Sequence, residues 1–186
     1  LPLLFAAGGV AAAQTLPLAK IKLPPGFEIS IFADDVPDAR AMARGDKGTL
    51  FVGSMRAGKV YAVRSNGNKA IETRVIASGL NLPAGVAFRD GALYVSAVDR
   101  IIRYDNIEAN LASPPQPAVV ANRFPQETHH GWKFIAFGPD GMLYVPVGAP
   151  CNICNPDSRR YANITRIRVD KGAAAPPEVF ARGVRN

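Results

Sequence analysis

The sequence has few of the residue types on which most metal and cofactor sites depend. Of its 186 residues, only two are cysteine, two are histidine and one is tryptophan. Helical periodicity is nearly absent, and residues 107–112 predict a single helical turn at most. No apolar run approaches the roughly 20 residues that a membrane-spanning helix needs. The sequence therefore argues against a helical bundle and against a membrane span.

Basic charge is in excess but is not concentrated. The chain has 22 Lys and Arg against 15 Asp and Glu, a net charge of +7. The densest basic stretch, residues 159–168, is interrupted by apolar residues at the spacing of a strand. Proteins that bind nucleic acid usually gather their charge on one patch or stripe. We therefore expect no nucleic-acid partner.

Residues 1–13 differ from the rest of the chain. They are apolar and uncharged, and they end in Ala11, Ala12 and Ala13 before the polar Gln14. This small-x-small ending is the cleavage pattern of a secretory signal, and the segment is too short to cross a bilayer. We interpret residues 1–13 as a truncated signal peptide and residues 14–186 as a soluble, periplasmic or secreted domain. The alternative is an apolar N-terminal strand or helix that packs on the domain.

The two cysteines, Cys151 and Cys154, lie in a predicted loop. Pro150 and Pro156 indicate a turn, whereas a thioredoxin-type site needs the motif to open a helix. Asn155 stands where a c-type haem site needs histidine, and two thiolates are only half of a zinc site. In an oxidising compartment the pattern favours a local structural disulfide.

Three stretches repeat a glycine-bearing turn followed by an apolar strand with an aromatic residue: 45–52, 89–95 and 138–145. Asp-Gly between apolar runs is a strong hairpin signal. An apolar run precedes each turn (41–43, 86–88 and 135–137), and two more strand-like stretches follow it: 59–63 and 73–77, 100–104 and 118–121, 164–169 and 178–181. Four short antiparallel strands at a period of about 45 residues predict an all-β fold, a β-propeller of which about three blades are present.

Three blades are too few to close a ring, because propellers normally have roughly four to eight. The chain ends at Asn186, directly after the strand that closes the third unit. We therefore expect the propeller domain to be truncated at its C-terminus, and we expect the 186 residues alone to be inactive.

The repeat also aligns residues of successive blades. Asn81, His130 and Arg185 occupy equivalent positions in the loops that lead to the innermost strands. Such loops gather around one mouth of the propeller channel, where ligand sites usually form. An imidazole there can accept a proton from a substrate hydroxyl, and a guanidinium can bind a carboxylate. His129 and His130 are also candidate metal ligands, but no nearby carboxylate or third histidine completes a set, so we assign no metal residue.

Several segments resemble the sorbosone dehydrogenase-like branch of the PQQ-dependent sugar dehydrogenases. The most specific are residues 128–134 (THHGWKF) and 183–186 (GVRN), and weaker ones are 23–27, 137–141 and 147–152. The resemblance extends from about Leu23 to the end of the chain. It implies a six-bladed propeller that binds pyrroloquinoline quinone (PQQ) and calcium. It also implies oxidation of a sugar or a related polyol or aldehyde, with electrons passed to an external acceptor.

The resemblance further implies roles for individual residues. His130 matches the family's proton-abstracting histidine, with His129 in reserve, and Arg185 stabilises the resulting oxyanion. Arg185 and Asn186 match the pair that contacts the quinone, and Asn81 and His129 are further candidate cofactor-binding residues. Asn81 falls near the position of a cofactor-proximal glutamine in the soluble glucose branch, so this contact is changed or lost. The calcium ligands belong to the family's second half, which the 186 residues do not contain.

Two other classes of protein remain open. Propeller hydrolases of the gluconolactonase or strictosidine-synthase kind use similar turns but need inward carboxylates for a divalent metal. The equivalent positions here hold Pro37, Asn81, His130 and Arg185. A non-catalytic propeller that serves as an interaction platform is the other class, and it would leave His130 and Arg185 without a shared ligand.

Overall fold

The computed structural model describes residues 16–170 and 176–185, and the chain divides into two compact units, residues 1–31 and 32–186. In the first unit, Leu18–Lys20 form a short 3-10 helix, and residues 21–31 are exposed. The interpretation of residues 1–13 as a signal peptide lies outside the described residues and stays a prediction.

The described part of the second unit contains three four-stranded antiparallel sheets in which each strand pairs with the next along the chain. The strands are β1 (Ala39–Arg44), β2 (Leu50–Ser54), β3 (Val60–Ser65), β4 (Ala70–Ala77), β5 (Val86–Arg89), β6 (Ala92–Ser96), β7 (Ile101–Tyr104), β8 (Ala118–Ala121), β9 (Ala136–Phe137), β10 (Leu143–Val147), β11 (Asn163–Ile167) and β12 (Glu178–Arg182). A 3-10 helix at Ile107–Ala109 accounts for the predicted helical turn. The prediction of an all-β fold with three four-stranded blades is confirmed.

The first strands of the three sheets are neighbours, since β1 contacts β5 and β5 contacts β9. Between the first two sheets, the Ala41 N–H donates to the Ala84 carbonyl (3.1 Å) and the Ser54 N–H to the Pro83 carbonyl (3.1 Å). The first strands therefore form the inner side of the three-sheet array, as in a propeller.

The repeated turns have the conformations that their glycines predict. Gly48 and Gly141 both have a positive φ. The Gly48 N–H donates to the Gly45 carbonyl, and the Gly141 N–H donates to the Gly138 carbonyl in the same way. Between β5 and β6, Asp90 and Gly91 form a two-residue turn, and both have a left-handed backbone conformation. A turn with two left-handed residues matches the twist of paired strands, which explains the Asp-Gly sequence there.

Two layers of the core lie on the two sides of the middle sheet, and a smaller third cluster of Val52, Tyr61 and Val63 lies on the first sheet. Leu93 and Val95 of β6 pack in the layer that includes Phe51 of β2. Tyr94, between them in sequence, packs in the other layer with Leu143 of β10. Because successive strand residues point to opposite faces, a sheet covered on both sides needs a continuous apolar strand, and β6 has one.

Gly85 lies where the middle and third sheets approach each other. Its N–H donates to Ser96 Oγ (3.0 Å), and this hydroxyl donates to the Lys133 carbonyl (2.8 Å). A Cβ atom at Gly85 would collide with the same carbonyl oxygen, although the backbone of Gly85 is outside the left-handed region. Close approach of two backbone segments, and not an unusual φ, is therefore why this position is glycine.

We expect Gly85→Ala to lower the free energy of unfolding by about 3 kcal/mol, because backbone atoms must move to admit the methyl group. Gly79→Ala is the matched control. Gly79 has a positive φ of 70° with open space around it, so only backbone strain of about 1 kcal/mol opposes the change. Urea unfolding of the two variants measures both values. Equal losses would contradict the close-approach explanation.

Candidate functional site

His130 occupies the third position of a tight turn. The Gly131 N–H donates to the Thr128 carbonyl (3.0 Å), and His130 has a φ of 52°. Histidine is among the residues that adopt this left-handed conformation more readily than most. A Cβ at Gly131 would collide with the Glu127 carbonyl oxygen, so the turn depends on this glycine.

The hydrogen bond of His130 defines which ring nitrogen carries a proton. His130 Nδ1 lies 2.9 Å from the carbonyl oxygen of Ala149. A carbonyl oxygen only accepts, so Nδ1–H is the donor, and in the neutral ring Nε2 holds the lone pair. The half-buried ring is therefore fixed in the tautomer that a base acting through Nε2 requires.

Asn152 joins two of the other predicted site residues. Arg185 Nη2 donates to Asn152 Oδ1 (2.9 Å), and His129 Nε2 lies 3.4 Å from the same oxygen. Because Oδ1 accepts, His129 uses its Nε2 hydrogen in this contact. The His129 and His130 ring centroids are 4.1 Å apart.

The segment 149–154 after β10 holds these residues together. The Ala149 N–H donates to the Arg185 carbonyl (2.9 Å), and the Ala149 carbonyl accepts from His130. Cys151 and Cys154 form a disulfide with Cα atoms 6.0 Å apart, which closes the loop that carries Asn152. The predicted disulfide is confirmed.

The remaining predicted residues are less closely involved. Asn81 is exposed, and its carbonyl accepts the Val98 N–H (3.1 Å). Within the described ranges, no side-chain hydrogen bond joins Asn81 to His129, His130 or Arg185. Asn186 lies outside the described residues. Their cofactor contacts stay predictions.

Lys133, two residues after the turn, is a buried cation. Its side chain is only 1% exposed, and Nζ donates to the Gly131 carbonyl (2.7 Å). Nζ also lies 5.5 Å from the centroid of the Phe124 ring. Burial lowers the pKa of Lys133 from 10.5 to about 8, and the negative charge of Asp99 partly opposes this shift. Lys133 and both histidines line a small cavity of about 10 Å³.

We expect this buried ammonium group to make stability depend on pH. Between about pH 8 and 10.5 the unfolded chain keeps the Lys133 proton that the folded chain has lost, so stability rises with pH. The pKa shift corresponds to about 3 kcal/mol over that window. Urea unfolding of the wild type and of Lys133→Met at several pH values isolates the effect. A difference between the two proteins that does not change with pH would contradict the assignment.

A groove of about 350 Å³ lies on the inner side of the three sheets. Small residues of β1 and Ala84 line it together with Trp132 and Phe134. The Arg40 guanidinium lies 5.1 Å from the centroid of the Trp132 ring. The aromatic residues that follow His130 therefore face this groove.

Two further features concern metals and membranes. In residues 16–170 and 176–185, no three His, Cys, Asp or Glu side chains are grouped so that they could hold a metal ion. Over the same ranges, no helix has the length and apolar character that a membrane crossing requires.

Sequence comparison gives one weak relationship. No protein-family model matches the chain. An uncharacterized protein of Borreliella burgdorferi is 28% identical over 177 residues, which is 89% of this chain and 44% of that protein. The chain therefore spans less than half the length of this relative.

Solved structures give a closer relationship in fold. The holo form of the pyranose dehydrogenase PQQ domain of Coprinopsis cinerea aligns with a TM-score of 0.63 and 14% identity, over 74% of this chain and 35% of that one. The PQQ-bound aldose sugar dehydrogenase of Streptomyces coelicolor aligns with a TM-score of 0.59 and 22% identity, over 73% of this chain and 46% of that one. At these identities the likeness establishes the fold. The chain has a PQQ-dehydrogenase-like fold and spans less than half of these two structures.

Proposed function

We propose that this chain forms part of a PQQ-dependent dehydrogenase that oxidises a sugar or a related polyol or aldehyde. The observation that carries the proposal is the assembly of His130 and Arg185 on segment 149–152, with His130 Nε2 available as a base. That this assembly lies in a PQQ-dehydrogenase-like propeller supports the proposal.

The chemistry of the donor set fits PQQ, a planar quinone that carries carboxylates. Arg185 is exposed and offers a planar set of N–H donors, which suits carboxylate and quinone oxygens. The Asn152 amide is a further donor at the same place, and Asn186 and Asn81 are additional candidates to hold the cofactor. PQQ held by these residues would supply a hydride acceptor for the substrate. We derive no calcium ligand from the described residues and leave that site to the rest of the full-length protein.

The residues of this chain supply acid–base and electrostatic chemistry. His130 Nε2 accepts the proton of the substrate hydroxyl, while its Nδ1–H bond to Ala149 keeps the ring oriented. Arg185 donates toward the oxygen on which negative charge develops. The His129 ring packs against the His130 ring, and its Nε2 contacts Asn152. His129 is the second candidate for the base.

We also propose that the protein is exported. A disulfide between Cys151 and Cys154 persists most readily in an oxidising compartment, which supports a periplasmic or secreted location.

The test is reconstitution of the full-length protein with PQQ and calcium, followed by assay of a panel of sugars, polyols and aldehydes for reduction of an artificial electron acceptor. We expect reduction that requires both PQQ and substrate, with protein that lacks PQQ as the control. Lactone hydrolysis without quinone-dependent reduction would instead favour the hydrolase class. Failure both to bind PQQ and to turn over any substrate would favour an interaction platform.

A further inference from the structure

We propose that Lys133 is a positioning residue for His130, and that its buried ammonium group holds the turn that presents the histidine ring to Ala149. The inference rests on the proposed function, in which His130 acts as the base.

The orientation of residues 131–135 is unusual. Gly131, Lys133 and Ile135 are buried, whereas Trp132 is half-buried and Phe134 is 54% exposed. The strand-like alternation thus directs a lysine into the protein core and two aromatic rings toward the solvent-accessible groove. Lysine is almost never fully buried unless it is paired, so its inward position needs a reason.

The polar partner of Lys133 is a backbone carbonyl. Its Nζ donates to Gly131 O at 2.7 Å, a charge-assisted bond that is stronger than a neutral one. Asp99 affects the Lys133 pKa through its charge, but its carboxylate is bonded to Arg100 (2.8 Å). Holding the Gly131 carbonyl therefore accounts for the position of this lysine.

This bond completes a chain of contacts from the middle sheet to His130. Ser96 Oγ in β6 donates to the Lys133 carbonyl, and Lys133 Nζ donates to the Gly131 carbonyl. The N–H of Gly131 closes the turn onto Thr128, with His130 in its left-handed position between them. A strained backbone conformation persists where its surroundings hold it firmly, and Lys133 supplies that hold.

The experiment uses the full-length protein without cofactor and reads the ring tautomer of His130 by nitrogen-15 NMR, with the signal assigned from His130→Ala. In the wild type we expect a protonated Nδ1 and an unprotonated Nε2. In Lys133→Met we expect the single tautomer to be lost, because the turn no longer holds the ring against Ala149. Lys133→Gln keeps a donor without the charge and should fall between the two. Lys69→Met, an exposed change in the turn between β3 and β4, should match the wild type.

In the reconstituted enzyme, Lys133→Met should lower kcat by about tenfold or more, since small displacements of a reacting group are costly. We expect KM to stay within about twofold, because Lys133 does not contact the substrate. A wild-type His130 tautomer in folded Lys133→Met or Lys133→Gln would overturn the inference. Loss of the tautomer in a protein that oxidises no sugar would uphold the inference and refute the proposed function.

Discussion

His130→Ala is expected to lower the kcat of the reconstituted full-length protein by about a hundredfold or more, the loss that removal of a general base produces. The reason is the Nδ1–H bond to Ala149 (2.9 Å), which leaves Nε2 as the basic nitrogen of the neutral ring. KM should change much less than kcat, because the proton is transferred in the transition state. Steady-state kinetics with saturating acceptor measures both constants.

His129→Ala is the matched control for this experiment. The His129 Nε2 contacts Asn152, so in the proposed mechanism this ring helps to position Asn152 and does not take the substrate proton. Its loss should therefore lower turnover clearly less. Added imidazole should restore part of the activity of His130→Ala and none of the activity lost in His129→Ala. If His129→Ala is the more damaging change, the base has been assigned to the wrong histidine. Full activity of His130→Ala would refute the mechanism.

Arg185→Ala is expected to weaken both turnover and PQQ retention, with a loss in kcat of about a hundredfold, as when one donor to a developing oxyanion is removed. The substitution also removes the Nη2 bond to Asn152 (2.9 Å), so the disulfide loop loses a contact to the segment that follows β12. Arg185→Lys should restore little, because an ammonium group lacks the planar set of donors. Equilibrium dialysis against PQQ and steady-state kinetics give the two values.

Arg182→Ala controls for the loss of one positive charge near the same place. Arg182 ends β12, is exposed, and is three residues from Arg185. If Arg182→Ala reduced PQQ retention as much as Arg185→Ala, general electrostatic attraction would explain the effect and a specific contact would not.

Most of the fold could be predicted from the sequence, because the three turns repeat in register. The four strands of the first sheet were predicted within 41–77 and extend over 39–77. The short β9, Ala136–Phe137, shows the limit of the pattern. Its predicted apolar run includes Ile135, which is buried but lies outside the paired strand. The bounds of a two-residue strand depend on tertiary contacts that sequence periodicity does not report.

The candidate site was predictable in part. Blade register predicted that His130 and Arg185 occupy equivalent loops, and in the structure both residues contact the Ala149–Asn152 segment, while their roles in catalysis stay predictions. It gave no role to Asn152, because that residue lies in the β10–β11 loop, residues 148–162, which is much longer than the corresponding loops 55–59 and 97–100 of the other two sheets. The signal that could have found Asn152 is its position between the two cysteines, where a closed loop fixes a polar side chain.

The burial of Lys133 was not predictable from hydrophobicity. A strand pattern with Trp132 and Phe134 on one side and a lysine on the other predicts the aromatic residues inside. The structure has the reverse, because the aromatic rings line the inner groove while the ammonium group bonds to the Gly131 carbonyl. Local hydrogen bonding thus outweighs the hydrophobic pattern in the segment that positions His130.

The most direct measurement for the central claim is anaerobic titration of the PQQ-loaded full-length protein with sugar, without external acceptor, followed by the absorbance of the bound quinone. We expect rapid stoichiometric reduction of the quinone in the wild type and reduction slower by about a hundredfold or more in His130→Ala. Bound quinone that stays oxidised in the wild type with every sugar, polyol and aldehyde tested would contradict the account.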